Sequence, residues 1–372
     1  MRLPDWLSSS LFCLCVLLCA GLSPLCAQAD IVVAATGNLN TGQILRGVES
    51  AVEAINRSGG LLGQKLQLVR FDGACDERQG RDLANRVVQQ RAQLVVGLDC
   101  SDAAIAAAPV YAEHGVVQIS ALSSNPRLTE MGFPTTFRLL GRDDRQAEAA
   151  AEMIVRKWGA TRVALVYDDT VYGRDLGHDA REAFVAKKID TRLELQAKSG
   201  ARSYADVVAA LKKKKIDLVY VTFSASRDLG LLMRELSKSD VKLTVMSGDI
   251  GAAVGRWVSG GAGNLPLLFT FCRQPAPLAA AHPLAGEVGE ADIDLNNQLR
   301  RVYAAVEVWA EAARIAGSLQ GDHIAKVLHE RQFQTAIGEV SFDRKGDVQG
   351  PAAEWQWFHP IEGRMVRIPD GE

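Results

Sequence analysis

Chemistry-bearing motifs are scarce in this sequence. Gly59-Gly60-Leu61-Leu62-Gly63-Gln64-Lys65 is rich in glycine, but its spacing is not that of a phosphate-cradling loop, and a strand pattern follows it instead of a helix. Glycines 248, 251 and 255 miss the dinucleotide spacing, and neither a G-x-S-x-G elbow nor an H-E-x-x-H pair occurs. The six histidines, at 114, 178, 282, 323, 329 and 359, are scattered, with no two four apart on a helix. Metal binding and triad chemistry therefore have no local signature. No metal, cofactor or catalytic group is expected, and the chain does not read as an enzyme.

An excess of charge of one sign is lacking as well. The formal net charge is −2 over 372 residues, which gives no reason to expect nucleic acid or an anionic membrane as a partner. Lys212-Lys213-Lys214-Lys215 ends a helical pattern just before a strand and reads as a solvated helix end. Long apolar runs are missing too. The stretch Leu11 to Leu22 is shorter than the roughly 20 residues a bilayer crossing needs. With Arg2 ahead of it and Ala27-Gln28-Ala29 behind, it reads as a secretory signal cleaved after Ala29, which sends a soluble chain to the periplasm. Cys26 follows Ser23-Pro24-Leu25 and lacks the small residue expected just ahead of a lipidated cysteine.

Cleavage would leave three of the seven cysteines: Cys75, Cys100 and Cys272. Cys75 and Cys100 each follow an apolar strand-like run, Leu66 to Phe71 and Leu94 to Val96, so neighbouring strand ends would bring them together in an oxidising compartment. Cys272 is left over and reads as a buried thiol in the strand Leu267 to Cys272.

What the sequence has in plenty is β and α patterning in alternation. Strand Ile31 to Ala35, helix Ile44 to Asn56, strand Leu66 to Phe71, helix Arg78 to Gln90, strand Leu94 to Val96, helix Ala103 to His114 and strand Val116 to Ile119 form a first series. A second begins after Gly141-Arg142-Asp143-Asp144, with helices Ala147 to Lys157, Asp175 to Lys187, Tyr204 to Lys213 and Asp228 to Ser237 between strands near 162–167, 191–195, 218–222 and 242–246. Repeated βα units imply parallel sheets covered by helices on both faces, and two series imply two lobes. A long helix from about Gln298 to Gly317, a shorter one from about His323 to Glu330 and a β-rich tail follow. Ligands of such sheets bind beyond the carboxyl ends of the strands, so the loops near 36–41, 99–102, 120–126, 168–172, 223–226 and 247–251 are the ones that matter.

Several segments carry a resemblance. Ile55-Asn56-Arg57-Ser58-Gly59-Gly60-Leu61-Leu62-Gly63, Phe71-Asp72-Gly73-Ala74-Cys75-Asp76, Val96-Gly97-Leu98-Asp99-Cys100-Ser101 and Ile119-Ser120-Ala121-Leu122-Ser123-Ser124-Asn125-Pro126 come in order. Tyr167-Asp168-Asp169-Thr170-Val171-Tyr172-Gly173 and Ile337-Gly338-Glu339-Val340-Ser341-Phe342-Asp343 follow them. Together they resemble the periplasmic leucine/isoleucine/valine-binding protein family over nearly the whole mature chain. That resemblance implies a type I periplasmic binding fold: two doubly wound parallel-sheet lobes joined by a three-crossing hinge. It would give residues 30–142 plus about 273–339 to the first lobe, and 143–272 plus about 340–372 to the second. It also implies a monomeric solute-binding component of an ABC transporter that closes on an amino acid or related small carboxylate and delivers it to a membrane permease. An exported sensing module of the same fold is the alternative. The family's first-lobe bridge falls on Cys75 and Cys100.

By the same resemblance Ser101 and Ser124 hold the ligand carboxylate, Leu122 offers backbone groups, Tyr172 meets the ligand on closure and Asp249 pairs with its ammonium. Hydroxyls and N–H groups at strand-to-helix loops suit a carboxylate, because helix N-termini present free donors there. Departures lie at the other end of the pocket. The loop Gly37 to Gly42 is short and omits an aromatic, Leu122 stands where alanine is expected, and the aromatic expected near Ser224 and Ala225 is missing, with Phe223 left open as its replacement. The resemblance thus implies a kept anchor and a rebuilt side-chain end.

Overall fold

The computed structural model describes residues 30–37, 42–98, 100–159, 162–258, 265–286, 293–361 and 364–369. The expected leader, its cleavage site and most of the shortened loop at 38–41 lie outside the described residues. Among the described residues no helix is long and apolar enough to cross a membrane.

The first sheet is wholly parallel. Strands β1 (Ile31–Gly37), β2 (Leu66–Asp72), β3 (Leu94–Gly97), β4 (Val117–Ser120) and β5 (Thr136–Arg138) lie in the order β2-β1-β3-β4-β5. Helices α1 (Gln43–Arg57), α2 (Glu77–Gln89), α3 (Ser101–Glu113) and the short α4 (Arg127–Glu130) make the crossovers that parallel strands require. The chain then leaves for a second set: α5 (Asp143–Lys157), β6 (Val163–Asp168), α6 (Val171–Ala186), β7 (Thr191–Ala197), α7 (Ala205–Lys213), β8 (Leu218–Thr222), α8 (Ser226–Lys238), β9 (Thr244–Ser247), α9 (Gly251–Val258) and β10 (Leu267–Cys272). It returns to the first lobe as α10 (Ile293–Ala316), α11 (Gly321–Glu330) and the small ribbon β11 (Phe333–Thr335) and β12 (Gly338–Val340). Strands β13 (Trp355–Ile361) and β14 (Arg364–Arg367) finish the second sheet, whose order is β14-β13-β10-β9-β8-β6-β7. Among the described residues of that sheet, the antiparallel pairs are β10 with β13 and β13 with β14.

Burial explains the composition of the central strands. All four residues of β3 and all five of β8 are buried, as expected where helices cover both faces. Each lobe has its own core. Val302, Val306 and Trp309 of α10 pack with Val48 and Val52 of α1 in the first, while Val219, Val221 and Phe269 anchor one face of the second sheet.

The lobe boundary at the tail differs from the sequence reading. Val340, Phe342, Val348 and Ala352, placed by sequence in the second lobe, pack in the first-lobe core, and the chain joins the second sheet only at Trp355. The cause is Asp347. Its carboxylate accepts from Arg138 Nε at 2.9 Å, Thr129 Oγ1 at 2.9 Å and Arg142 Nη1 at 2.8 Å, which fastens the segment beside β5. The connections between the lobes are also tied to one another. Trp355 Nε1 donates to Arg142 O at 2.8 Å and Arg273 N to Glu354 O at 3.0 Å.

Candidate functional site

The sheet ends determine where the polar side chains go. At the end of β3, Gly97 has φ +121°, and a Cβ there would lie 1.9 Å from Thr36 O, so only glycine lets β3 turn beside β1. Thr36 Oγ1 then accepts from Leu98 N at 2.7 Å, and the disulfide Cys75–Cys100 closes the turn with the two Cα atoms 4.9 Å apart. Helix α3 starts at the next residue. Its N-cap, Cys100, supplies no side-chain acceptor, so the first-turn N–H groups at Ser101 are presented without a cap. Ser101 Oγ accepts from Ser123 Oγ at 3.2 Å. Leu122 and Ser124 follow β4, and Ser124 O accepts from Asp143 N at 3.0 Å where the chain leaves the lobe.

The second lobe answers with its own helix starts. Thr170 caps α6 by accepting from Gly173 N at 3.0 Å, which sets Tyr172 in the first turn. The Tyr172 hydroxyl donates to Asp249 Oδ1 at 2.8 Å, across the residue Gly248, where a Cβ would sit 2.6 Å from that hydroxyl. Asp249 N donates to Gln146 Oε1 at 2.8 Å, and Gln146 Nε2 donates to Asp143 Oδ1 at 2.9 Å.

Ser101, Leu122, Ser124, Tyr172 and Asp249 all line one cavity of about 570 Å³ between the lobes. The volume is in the range of small-molecule sites, which run from roughly 300 to 1,000 Å³. The first lobe lines the cavity with Ser101, Ser124, the uncapped start of α3 and Asp102, and the second with Thr170, Tyr172, Ser224 and Asp249, so hydroxyls and carboxylates meet from both sides. Burial raises the Asp249 carboxyl above its ordinary range, opposed by the Tyr172 hydroxyl and backbone N–H groups. The lobes touch beside the cavity. Asn125 Nδ2 donates to Asp175 Oδ2 at 2.9 Å and Arg127 lies 3.6 Å from the same carboxylate. Asp102, at the start of α3, is raised by burial and held back by the N–H of Val171, which belongs to the other lobe.

Sequence reasoning missed several parts of the wall. Asp102 adjoins Ser101 and carried no signal of its own. Behind the wall, Asp168, fully buried, accepts from Ser224 N at 2.7 Å and Ser224 Oγ at 2.8 Å, tying together two of the loops that face the cavity. Asn297 and Arg301 reach the wall from α10; Arg301 Nε donates to Asn297 Oδ1 at 2.9 Å, and Nη1 donates to Leu139 O. Their signal was a pair of polar residues on the inner face of a long apolar helix. Cys272, on β10, is buried and also lines the cavity. Among the described residues no group of three or more His, Cys, Asp or Glu side chains could hold a metal ion.

Residues 32–355 match the family model described as periplasmic binding protein. A Leu/Ile/Val-binding protein of Rhizobium johnstonii is 32% identical over 335 residues, covering 87% of this chain and 90% of that one. Among solved structures, a leucine-binding protein of Thermotoga maritima superposes with a TM-score of 0.77 at 21% identity, over 91% of this chain and 98% of its own. An ABC-transporter solute-binding protein of R. palustris, solved with benzoate, gives 0.76 at 15% identity, over 91% and 96%.

Proposed function

The chain belongs to the periplasmic binding protein family, a family of binding proteins and not of enzymes, and we propose that it captures an α-amino acid for an ABC importer. In this reading a chain cleaved after Ala29 works in the periplasm, closes its lobes on the ligand and hands it to a membrane permease. Ser101, Ser124 and the start of α3 take the carboxylate, Leu122 lends backbone groups, and Tyr172 and Asp249 take the ammonium from the other side. The observation that carries the reading is Asp249. Its carboxylate faces the cavity with one oxygen steadied by Tyr172, opposite the uncapped start of α3. A sensing role for a receptor finds no such support among the similar proteins.

Calorimetry with the L-amino acids, and with benzoate as a carboxylate that lacks an ammonium, tests this. Asp249→Asn should weaken amino-acid binding, since removing one partner of a buried charge pair costs about 2–5 kcal/mol. At about 1.4 kcal/mol per decade that is a loss of roughly 30-fold to several thousand-fold. If Asp249→Asn binds amino acids as the parent does, or if benzoate binds and no amino acid does, the ammonium half of the reading is wrong.

A further inference from the structure

Beneath the cavity lies a fully buried acid. Asp143 is 0% exposed. Its Oδ1 is taken by Gln146, while Oδ2 has no hydrogen-bond partner. Gln146 reaches on to the backbone N–H of Asp249, whose carboxylate meets the cavity, so one amide ties the Asp143 carboxylate to the residue that carries the second acid. The other titratable or charged groups bearing on Asp143 are Asp179 and Tyr172 from α6, Tyr220 from β8 and Arg138 from β5. Arg138 is committed to Asp347 and Thr129. The Tyr220 hydroxyl is buried without a partner.

An ionised oxygen at Asp143 Oδ2 would be buried with only the neighbouring Ser124 hydroxyl to answer it, which is costly, and a second carboxylate nearby makes it costlier. Burial and then the Asp249 charge push the Asp143 carboxyl well above the ordinary range, with the neighbouring Ser124 hydroxyl and Arg138 opposing. Burial and the nearby Asp144 charge raise Asp179 to about 6.

We propose that Asp143 and Asp249 share one proton in the empty cleft, and that an ammonium group docking on Asp249 displaces it to solvent. Asp143 is then a positioning residue that couples ligand capture to pH. The inference rests on the amino-acid reading above. The arriving ammonium supplies the positive charge that the proton had supplied, an O–H bond of the pair breaks, and the proton passes to water, so the net charge of the cluster is unchanged. The pair titrates as a unit. While a proton is being released, affinity rises with pH by up to about tenfold per unit, and it falls as pH drops.

The mature chain is titrated with L-leucine and the other L-amino acids in phosphate and in Tris at one pH, and the difference in heat gives the protons released. Infrared spectra of the ligand-free protein report the protonated carboxyl directly. The expected result is a carboxylic-acid component that is lost on binding in the difference spectrum, over the unchanged bands of other raised carboxyls such as Glu307, with close to one proton released, and both signals gone in Asp143→Asn, whose amide keeps the shape but holds no exchangeable acid proton. A difference spectrum with no such loss, or amino-acid binding with no proton released, overturns the coupling while the amino-acid reading stands. Should no amino acid bind at all, the amino-acid reading and the coupling fall together. Because band and proton count are both read on the parent chain, a misfolded Asp143→Asn does not shelter the proposal.

Discussion

Asp347→Asn should destabilise the first lobe well beyond an ordinary surface change. The Asp347 carboxylate is the counter-charge of Arg138, which is 0% exposed, and it also accepts from Arg142 and Thr129. The amide keeps the shape but removes the charge, so the Arg138 guanidinium is left buried with neutral acceptors only. Removing one partner of a buried pair costs about 3–5 kcal/mol. At roughly 2–4 °C per kcal/mol for a unit of about this size, the melting transition should fall by roughly 6–20 °C. The double variant Arg138→Met/Asp347→Leu should recover most of the loss, because well-packed apolar replacements of a buried pair are often neutral. The pH dependence has a definite sign. Burial works against the charged form of Asp347, but Arg138 and Arg142 outweigh it and hold the carboxyl below its usual range. This stabilisation is therefore present above the unfolded carboxyl value of about 3.9 and is lost as pH falls through the lower folded value. The assay is thermal unfolding by circular dichroism from about pH 3 to pH 7. A melting point for Asp347→Asn within a degree or two of the parent at neutral pH, or a parent as stable at pH 3 as at pH 7, would refute the reasoning.

Other consequences are open to measurement. Intact mass of the exported protein should correspond to a chain beginning at Asp30; any other start contradicts the cleavage reading. Thiol titration of that mature chain, denatured without reductant, should find one reactive thiol, from Cys272, because Cys75 and Cys100 are joined; three would remove the bridge. Asp175→Ala deletes the acceptor that both Asn125 and Arg127 use across the lobes, and at about 0.5–1.5 kcal/mol per hydrogen bond it should shift the closed fraction several-fold toward open. Small-angle scattering with and without ligand reads that shift, and an unchanged radius with unchanged affinity would argue against a latch at this contact.

The sequence by itself determined most of the element types, though not the short α4 and β5 or α9, because burial on both faces leaves continuous apolar runs such as Leu94 to Val96 and Leu218 to Thr222 that periodicity recognises. It also placed the five cavity residues in strand-to-helix loops, since parallel sheets put such loops at one end. It was least accurate at the helix starts. The apolar pattern begins at Ala103, Ala147 and Asp175, whereas the helices begin at Ser101, Asp143 and Val171. The missing first turns of α3 and α5 are polar and that of α6 is short and mixed, Val171-Tyr172-Gly173-Arg174, so none carries an apolar period; they also hold Ser101, Asp143 and Tyr172. Only the tertiary structure decided which side chains meet. Residues 340–352 stay with the first lobe because Asp347 answers Arg138 more than two hundred residues away, a charge match with no local trace. Asn297 and Arg301 join the wall because α10 passes the hinge, and Asp143 comes beneath Asp249 because Gln146 can bridge them only once α5 packs beside β10. Local sequence encodes periodicity and turn chemistry; pairings across long separations depend on how the lobes fold and touch.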